Sequence, residues 1–138
     1  MAREVTELPL RARPASVPAR DKVLVVDDDE HFRVLARSLL EPAGFEVLEA
    51  GSMDQCLSEL HRHPIGAVVL DMVMPDYDGI EAVRELKSRF PRLRIVAISG
   101  ADQREVYLSV SAHLGADASL EKARISALCP LLHVVLER

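Results

Sequence analysis

The chain has 138 residues, 49% of them hydrophobic, which is enough for one domain with a substantial core and too few for two. Its net charge of -5, its 4% aromatic residues and the lack of a Lys/Arg stripe argue against direct binding of nucleic acid. Because no apolar run approaches the ~20 residues that cross a bilayer and no signal-peptide pattern is present, we expect a cytoplasmic protein that does not bind membranes.

The first 20 residues differ in composition from the rest. Prolines and arginines are scattered among few large apolar residues, without a helical or strand period. Such a segment buries too little apolar surface to order itself. We therefore predict a flexible N-terminal tail over 1–20 and one folded domain over 21–138. A docking arm for an acidic partner is the alternative interpretation of the tail.

A buried strand that ends in three acids opens the folded part. The β-branched run from residue 23 to 26 is typical of a strand covered on both faces, and Asp27, Asp28 and Asp29 follow it. One of these acids can cap the helix predicted over 30–40. Like charges this close need a positive charge to offset them, and a hard divalent cation bound by oxygen ligands is the usual solution. The sequence therefore predicts a functional acidic pair here.

Four more strands follow at similar intervals. Apolar runs begin near residues 45, 67, 94 and 118, and a helical pattern fits each gap. Capping residues open three of these helices, at Ser52, Asp78 and Asp102, the last for a helix over 102–114. Cys56 falls on an apolar helix face and is expected in the core, and Pro130 fits only in the first turn of a late final helix. Five strand–helix units predict an α/β fold with a parallel sheet between two layers of helices.

Polar side chains stand at the carboxyl ends of these strands. Asp71 ends the third strand, Ser99 ends the fourth, and Lys122 follows the fifth. In an open parallel sheet such ends meet in one crevice. Carboxylates that bind Mg²⁺, an ammonium group and a hydroxyl could stabilise a transferring phosphoryl group while a carboxylate oxygen attacks phosphorus. The expected product is an aspartyl phosphate.

These motifs resemble the receiver domain of two-component response regulators, in the right order and at the right spacing over about 22–138. The motifs are Val-Leu-Val-Val-Asp27-Asp28-Asp29-Glu30, Val-Val-Leu-Asp71-Met-Val-Met-Pro75-Asp-Tyr-Asp78-Gly79, Ile-Val-Ala-Ile-Ser99-Gly100, and Gly115-Ala116-Asp117 with Lys122. The resemblance implies a flavodoxin-like, doubly wound five-stranded parallel sheet in the order 2-1-3-4-5, with five helices.

The resemblance also implies roles for individual residues. Asp71 would be the phosphoacceptor, taking a phosphoryl group from a histidine kinase or a histidine phosphotransfer protein. Ser99 would be the switch hydroxyl, and Lys122 would pair with the phosphoryl group. The ligands of Mg²⁺ would be Asp27, Asp28, Asp71 and the backbone carbonyl of Val73. The protein would catalyse only its own phosphorylation and dephosphorylation, and it is not expected to be an enzyme in any other sense.

Two positions depart from the family pattern. Ser119 stands where receivers usually carry an aromatic switch residue, and Ala123 stands where a proline usually follows the lysine. We expect the signal to reach a protein target through the face of the fourth helix, fifth strand and fifth helix, by way of Tyr107 or backbone movement. Because the chain ends one helix after Lys122, we expect a stand-alone receiver, and a homodimer is left open.

Two other functions fit parts of the pattern. A phosphate-independent interaction module with receiver shape would explain the missing aromatic residue, but not the complete set of acids, hydroxyl and lysine. A haloacid dehalogenase-like phosphatase would use Asp27 as nucleophile and Asp29 as acid/base. That family expects threonine or valine where His31 stands, and it would leave Asp71 without a role.

Overall fold

The computed structural model of the protein describes residues 21–100, 112 and 114–137. In this part of the chain five parallel strands form one sheet in the order β2-β1-β3-β4-β5. The strands are β1 (Lys22–Val26), β2 (Glu46–Ala50), β3 (Ala67–Asp71), β4 (Arg94–Ser99) and β5 (Ala118–Glu121). The predicted class of fold, a doubly wound parallel sheet, is confirmed.

A short hairpin after β3 was not predicted. The two-residue strands Val73–Met74 and Tyr77–Asp78 pair in antiparallel fashion and stand apart from the main sheet. The sequence suggested only a turn there. Gly79 permits the fold-back, because a Cβ at this position would lie 2.3 Å from the carbonyl oxygen of Met72.

Four α-helices lie within the described residues, and none of them is long and apolar enough to cross a membrane. They are α1 (Glu30–Leu40), α2 (Met53–Arg62), α3 (Gly79–Arg89) and α4 (Leu128–Leu136). The first three begin at the predicted caps, where Asp29, Ser52 and Asp78 accept hydrogen bonds from backbone N–H groups of the first turn. The fifth predicted helix, over 102–114, falls mostly outside the described residues, as do the predicted tail and Tyr107.

The final helix begins late, as predicted. A 3₁₀ helix over Lys122–Ala127 follows β5, and Arg124 interrupts it with non-helical backbone angles. Pro130 is the third residue of α4, where its missing N–H breaks no intrahelical hydrogen bond.

The sheet separates two cores, and β1 contributes to both. Val23 and Val25 pack with side chains of α1 and α4, whereas Leu24 and Val26 pack with side chains of α2 and α3. This alternation follows from the two-residue period of a strand. Cys56 lies in the second core, as predicted, and burial there raises the pKa of its thiol to about 12.

Candidate functional site

The carboxyl edge of the sheet brings four of the predicted residues together. Asp27 directly follows β1, Asp71 ends β3, Ser99 ends β4 and Lys122 directly follows β5. Asp27, Asp71 and Ser99 are buried, and the side chain of Lys122 is 28% exposed. Lys122 Nζ lies 2.8 Å from Asp27 Oδ2 and 3.3 Å from Asp71 Oδ2. One ammonium group thus bridges two buried carboxylates from different strands.

Hydrogen bonds fix both the backbone and the side chain of Asp27. Its backbone N–H donates to the carbonyl of Ala50 on β2 at 3.0 Å, and its Oδ1 accepts from the N–H of Asp29 at 2.9 Å. Its carbonyl accepts from Arg33 Nη1 at 2.7 Å. Its Oδ2 is buried and lies 2.8 Å from Lys122 Nζ, so the positive partner of this oxygen is the lysine ammonium.

Asp71 is bound by one residue from each strand of the hairpin. Its Oδ1 accepts from the N–H of Val73 at 3.0 Å, and its carbonyl accepts from the hydroxyl of Tyr77. Burial raises the pKa of Asp71 to about 6, and the charge of Asp27 adds to this, while the Val73 N–H and Lys122 partly offset it. Burial alone would lower the pKa of Lys122, but Asp27 and Asp71 raise it above its ordinary value. At neutral pH the lysine is therefore charged.

The acidic cluster has the chemistry of a magnesium site. One carboxylate oxygen from each of Asp27, Asp28 and Asp71 lies within 4.8 Å of the other two, and Asp28 is exposed while the other two are buried. Three carboxylates outweigh the single ammonium of Lys122, and an all-oxygen set with an open side suits Mg²⁺, which keeps several of its waters. The predicted ligand Val73 adjoins this cluster through its N–H.

Ser99 lies at the expected edge but makes a local contact. Its hydroxyl donates to the carbonyl of Gly100 at 3.0 Å rather than to Asp71. Ser99 pairs with Glu121 in the register of β4 and β5, which places it one residue before Lys122 along that edge. The predicted hydroxyl is therefore at the site, but it is hydrogen-bonded to the backbone and not to an acidic side chain.

The other acids near the site bind backbone N–H groups. Asp29 caps α1, Asp78 caps α3, and Asp76 Oδ2 accepts from the N–H of Met53 at 3.2 Å. His31 is fully exposed. An exposed capping residue is poorly placed to serve as the acid/base that the phosphatase interpretation requires of Asp29.

Three residues at the site were not singled out from the sequence. Arg33 and Tyr77 bind the backbone carbonyls of Asp27 and Asp71, and the ring of Phe32 lies 4.9 Å from Lys122 Nζ. The cation–π contact adds to the ion pairs that hold the lysine. Arg33 and Tyr77 each lie six residues after the carbonyl that they bind, but no helix or strand period predicts such a bond, and Phe32 contacts a lysine that is distant in the chain.

A mainly apolar cavity lies at the opposite edge of the sheet. It has a volume of about 530 Å³ and adjoins the residues that precede β3 and β4. Its apolar lining includes Leu60, Ile65, Phe90, Leu93 and Leu136. Among the described residues its lining contains His63, Arg92 and Arg94 but no aspartate or glutamate.

Comparison with known proteins agrees with this geometry. The family model described as response regulator receiver domain matches residues 23–130. The chemotaxis protein CheY of Bacillus subtilis is 32% identical over 88 residues, which cover 63% of this chain and 73% of CheY. The regulator PhoP of alkaline phosphatase synthesis in Bacillus subtilis is 31% identical over 101 residues, which cover 73% of this chain but only 42% of PhoP.

A solved structure extends the likeness to three dimensions. The crystal structure of a response regulator receiver domain protein from Clostridium thermocellum has a TM-score of 0.78 at 28% identity, and the match covers 85% of this chain and 94% of that one. The residues matched by the family model, 23–130, include all five strands except Lys22, together with the acids at the carboxyl edge. The chain therefore belongs to the family of response regulator receiver domains of two-component signalling.

Proposed function

We propose that Asp71 accepts a phosphoryl group from a phosphohistidine of a histidine kinase or a histidine phosphotransfer protein. The observation that supports this most directly is the buried carboxylate of Asp71, whose Oδ2 lies 3.3 Å from Lys122 Nζ beside two further aspartates. A carboxylate oxygen attacks phosphorus in line. The O–P bond forms as the P–N bond breaks, and the imidazole nitrogen leaves with the electron pair.

Lys122 would form an ion pair with the phosphoryl group once that group is bound to Asp71. Its ammonium already contacts Oδ2 and can pair with a phosphoryl oxygen as that oxygen becomes more negative. The hydroxyl of Ser99 donates to the Gly100 carbonyl and can turn toward a phosphoryl oxygen by rotation about one bond.

Mg²⁺ is the cofactor that this set of oxygens would hold. The ligands would be Asp27, Asp28, Asp71 and the backbone carbonyl of Val73. When bound, the ion neutralises part of the charge of the phosphoryl group. Support comes from the cluster itself, in which one carboxylate oxygen from each of the three aspartates lies within 4.8 Å of the other two.

The proposed output is contact with a protein target. Phosphorylation would shift the domain over 21–138 between two conformations, which differ at the face of residues 102–114, β5 and α4. Ser119, on this face, is exposed, and β5 pairs with β4 beside Ser99. The protein bound at this face could also be a second copy of the chain, which would give a homodimer. The only reaction we propose is the one on the protein's own aspartate.

Intact mass after incubation with Mg²⁺ and acetyl phosphate tests the proposal. We expect one phosphate-sized gain that is stable to acid, labile to base, and lost in Asp71→Asn or after chelation of the metal. The matched control is Asp76→Asn, which removes a nearby exposed carboxylate and should leave the gain unchanged.

Two outcomes would overturn the proposal. A gain that persists in Asp71→Asn would assign phosphorylation to another residue. No gain with acetyl phosphate or with histidine kinases would favour the phosphate-independent module, whose partners could then be sought by pull-down.

A further inference from the structure

Arg33 links the acidic site to the neighbouring strand. Its Nη1 donates to the carbonyl oxygen of Asp27 at 2.7 Å, and its Nε donates to Glu49 Oε1 on β2 at 2.9 Å. The guanidinium lies against Gly51, where a Cβ would be 3.2 Å from Nη1. One planar group thus joins α1, β2 and the residue that directly follows β1.

The contact with Asp27 determines how that residue leaves the strand. The N–H of Asp27 is bound to the carbonyl of Ala50, and its own carbonyl is bound to Arg33. Both peptide groups around its Cα therefore have defined partners, so the direction in which the side chain projects is restricted. That side chain carries the buried Oδ2 that faces Lys122 and the acidic cluster.

We propose that Arg33 is a positioning residue for the divalent cation site. Its hydrogen bond to the Asp27 carbonyl would orient the Asp27 carboxylate toward the cation, and Arg33 itself would not contact the cation. The proposal rests on the proposed function, since it requires that the acidic cluster bind Mg²⁺. Groups that orient metal ligands typically change metal affinity by 10–100-fold when they are lost, and for a contact through the backbone we expect about tenfold.

The sign of the effect separates positioning from charge. Removing a cation near an acidic cluster strengthens the binding of a second cation, because the local potential becomes more negative. Loss of positioning weakens binding. A drop in Mg²⁺ affinity in Arg33→Gln would therefore run against the change in charge.

Arg37 supplies a matched control. Its Nε donates to Glu49 Oε2 at 2.8 Å, and its Nη1 lies 2.6 Å from Glu41 Oε2. Arg37→Gln removes the same charge from the same helix and breaks a bond to the same glutamate, but it leaves the Asp27 carbonyl untouched. The two variants therefore differ in whether the Asp27 carbonyl keeps its side-chain donor.

The test compares wild type, Arg33→Gln, Arg33→Lys and Arg37→Gln in full-length protein by calorimetric titration with Mg²⁺. The N–H of Asp29, which donates to Asp27 Oδ1, serves as an NMR reporter in metal-free protein. We expect about tenfold weaker binding and a shifted Asp29 amide in Arg33→Gln. Arg33→Lys should lie between, because one ammonium cannot make both bonds of the guanidinium fork.

The outcomes separate the two proposals. Equal Mg²⁺ affinity in Arg33→Gln and Arg37→Gln, or tighter binding in Arg33→Gln, would overturn the positioning role of Arg33. If wild type itself bound no Mg²⁺, the proposed function would fail first. An Asp29 amide that moves equally in both glutamine variants would mean that the helix, and not Arg33, positions Asp27.

Discussion

The hydroxyl of Tyr77 donates a hydrogen bond to the backbone carbonyl of Asp71. Tyr77 belongs to the short hairpin that follows β3, so the bond joins the hairpin to the end of the strand that carries the proposed phosphoacceptor. Burial raises the pKa of Tyr77 above its ordinary value, and the hydroxyl therefore keeps its proton at any physiological pH. The hairpin is thereby fastened to the site.

Tyr77→Phe should destabilise the protein by about 1–3 kcal/mol, because it leaves the Asp71 carbonyl without this donor in a largely buried place. Urea unfolding measures the change. Ser38→Ala is the control, since it removes an exposed hydroxyl that donates to the Leu35 carbonyl and should cost less than about 0.5 kcal/mol. If both substitutions lowered the free energy of unfolding equally, the buried Tyr77 bond would stabilise the protein no more than an exposed one does.

Lys122→Gln should raise the pKa of Asp71 further above about 6, because the attraction of the ammonium is lost while burial and the charge of Asp27 remain. Carboxylate ¹³C shifts recorded against pH measure this in metal-free protein. The control Lys22→Gln lies at the opposite end of β1 and should leave the titration unchanged. An unchanged Asp71 titration in Lys122→Gln would contradict the contact at 3.3 Å.

Asp71→Asn should stabilise the metal-free protein at pH 7.5. Because the folded-state pKa of Asp71, about 6, lies above the ordinary value of 3.8, the charged carboxylate opposes folding increasingly as pH rises from 4 to 6. The free energy of unfolding should rise by up to about 3 kcal/mol at pH 7.5, and this increase should become smaller toward pH 4. Urea unfolding in a chelator at both pH values checks the sign, and a gain that is the same at both would rule out this origin.

Glu49→Gln should cost about 1 kcal/mol at pH 7. Burial tends to raise the pKa of Glu49, but its hydrogen bonds to Arg37 and Arg33 lower it below 4.5 overall. A lowered folded-state pKa contributes stability that is present above 4.5 and is lost as pH falls through the folded value.

Thermal unfolding at pH 7 and pH 3.5 measures this contribution, and the difference in stability between wild type and Glu49→Gln should be smaller at the lower pH. The control is Glu81→Gln, which breaks an ion pair with Arg84 in which both side chains are more than half exposed and should change little. A difference in stability of the same size at both pH values would assign the effect to packing and not to charge.

The sequence by itself determined the parallel sheet and the edge at which its acids stand. Runs such as Val23 to Val26 are apolar at every position, which requires cover on both faces, and turn residues mark where each run ends. Asp27, Asp71 and Ser99 follow from those ends alone, because all strands of a parallel sheet point the same way. The helix caps at Asp29, Ser52 and Asp78 are equally local, since a cap bonds to a backbone N–H two or three residues away.

Only the tertiary structure decided which groups touch within that edge. Lys122 and Asp27 are far apart in sequence, and their contact at 2.8 Å depends on the register of β4 with β5 and on the path of the 3₁₀ helix. The bonds from Arg33 and Tyr77 to backbone carbonyls likewise depend on how a helix and a hairpin pack on the sheet. Tertiary packing brings residues into contact whatever their separation along the chain. The type of one residue therefore does not predict which residue it contacts.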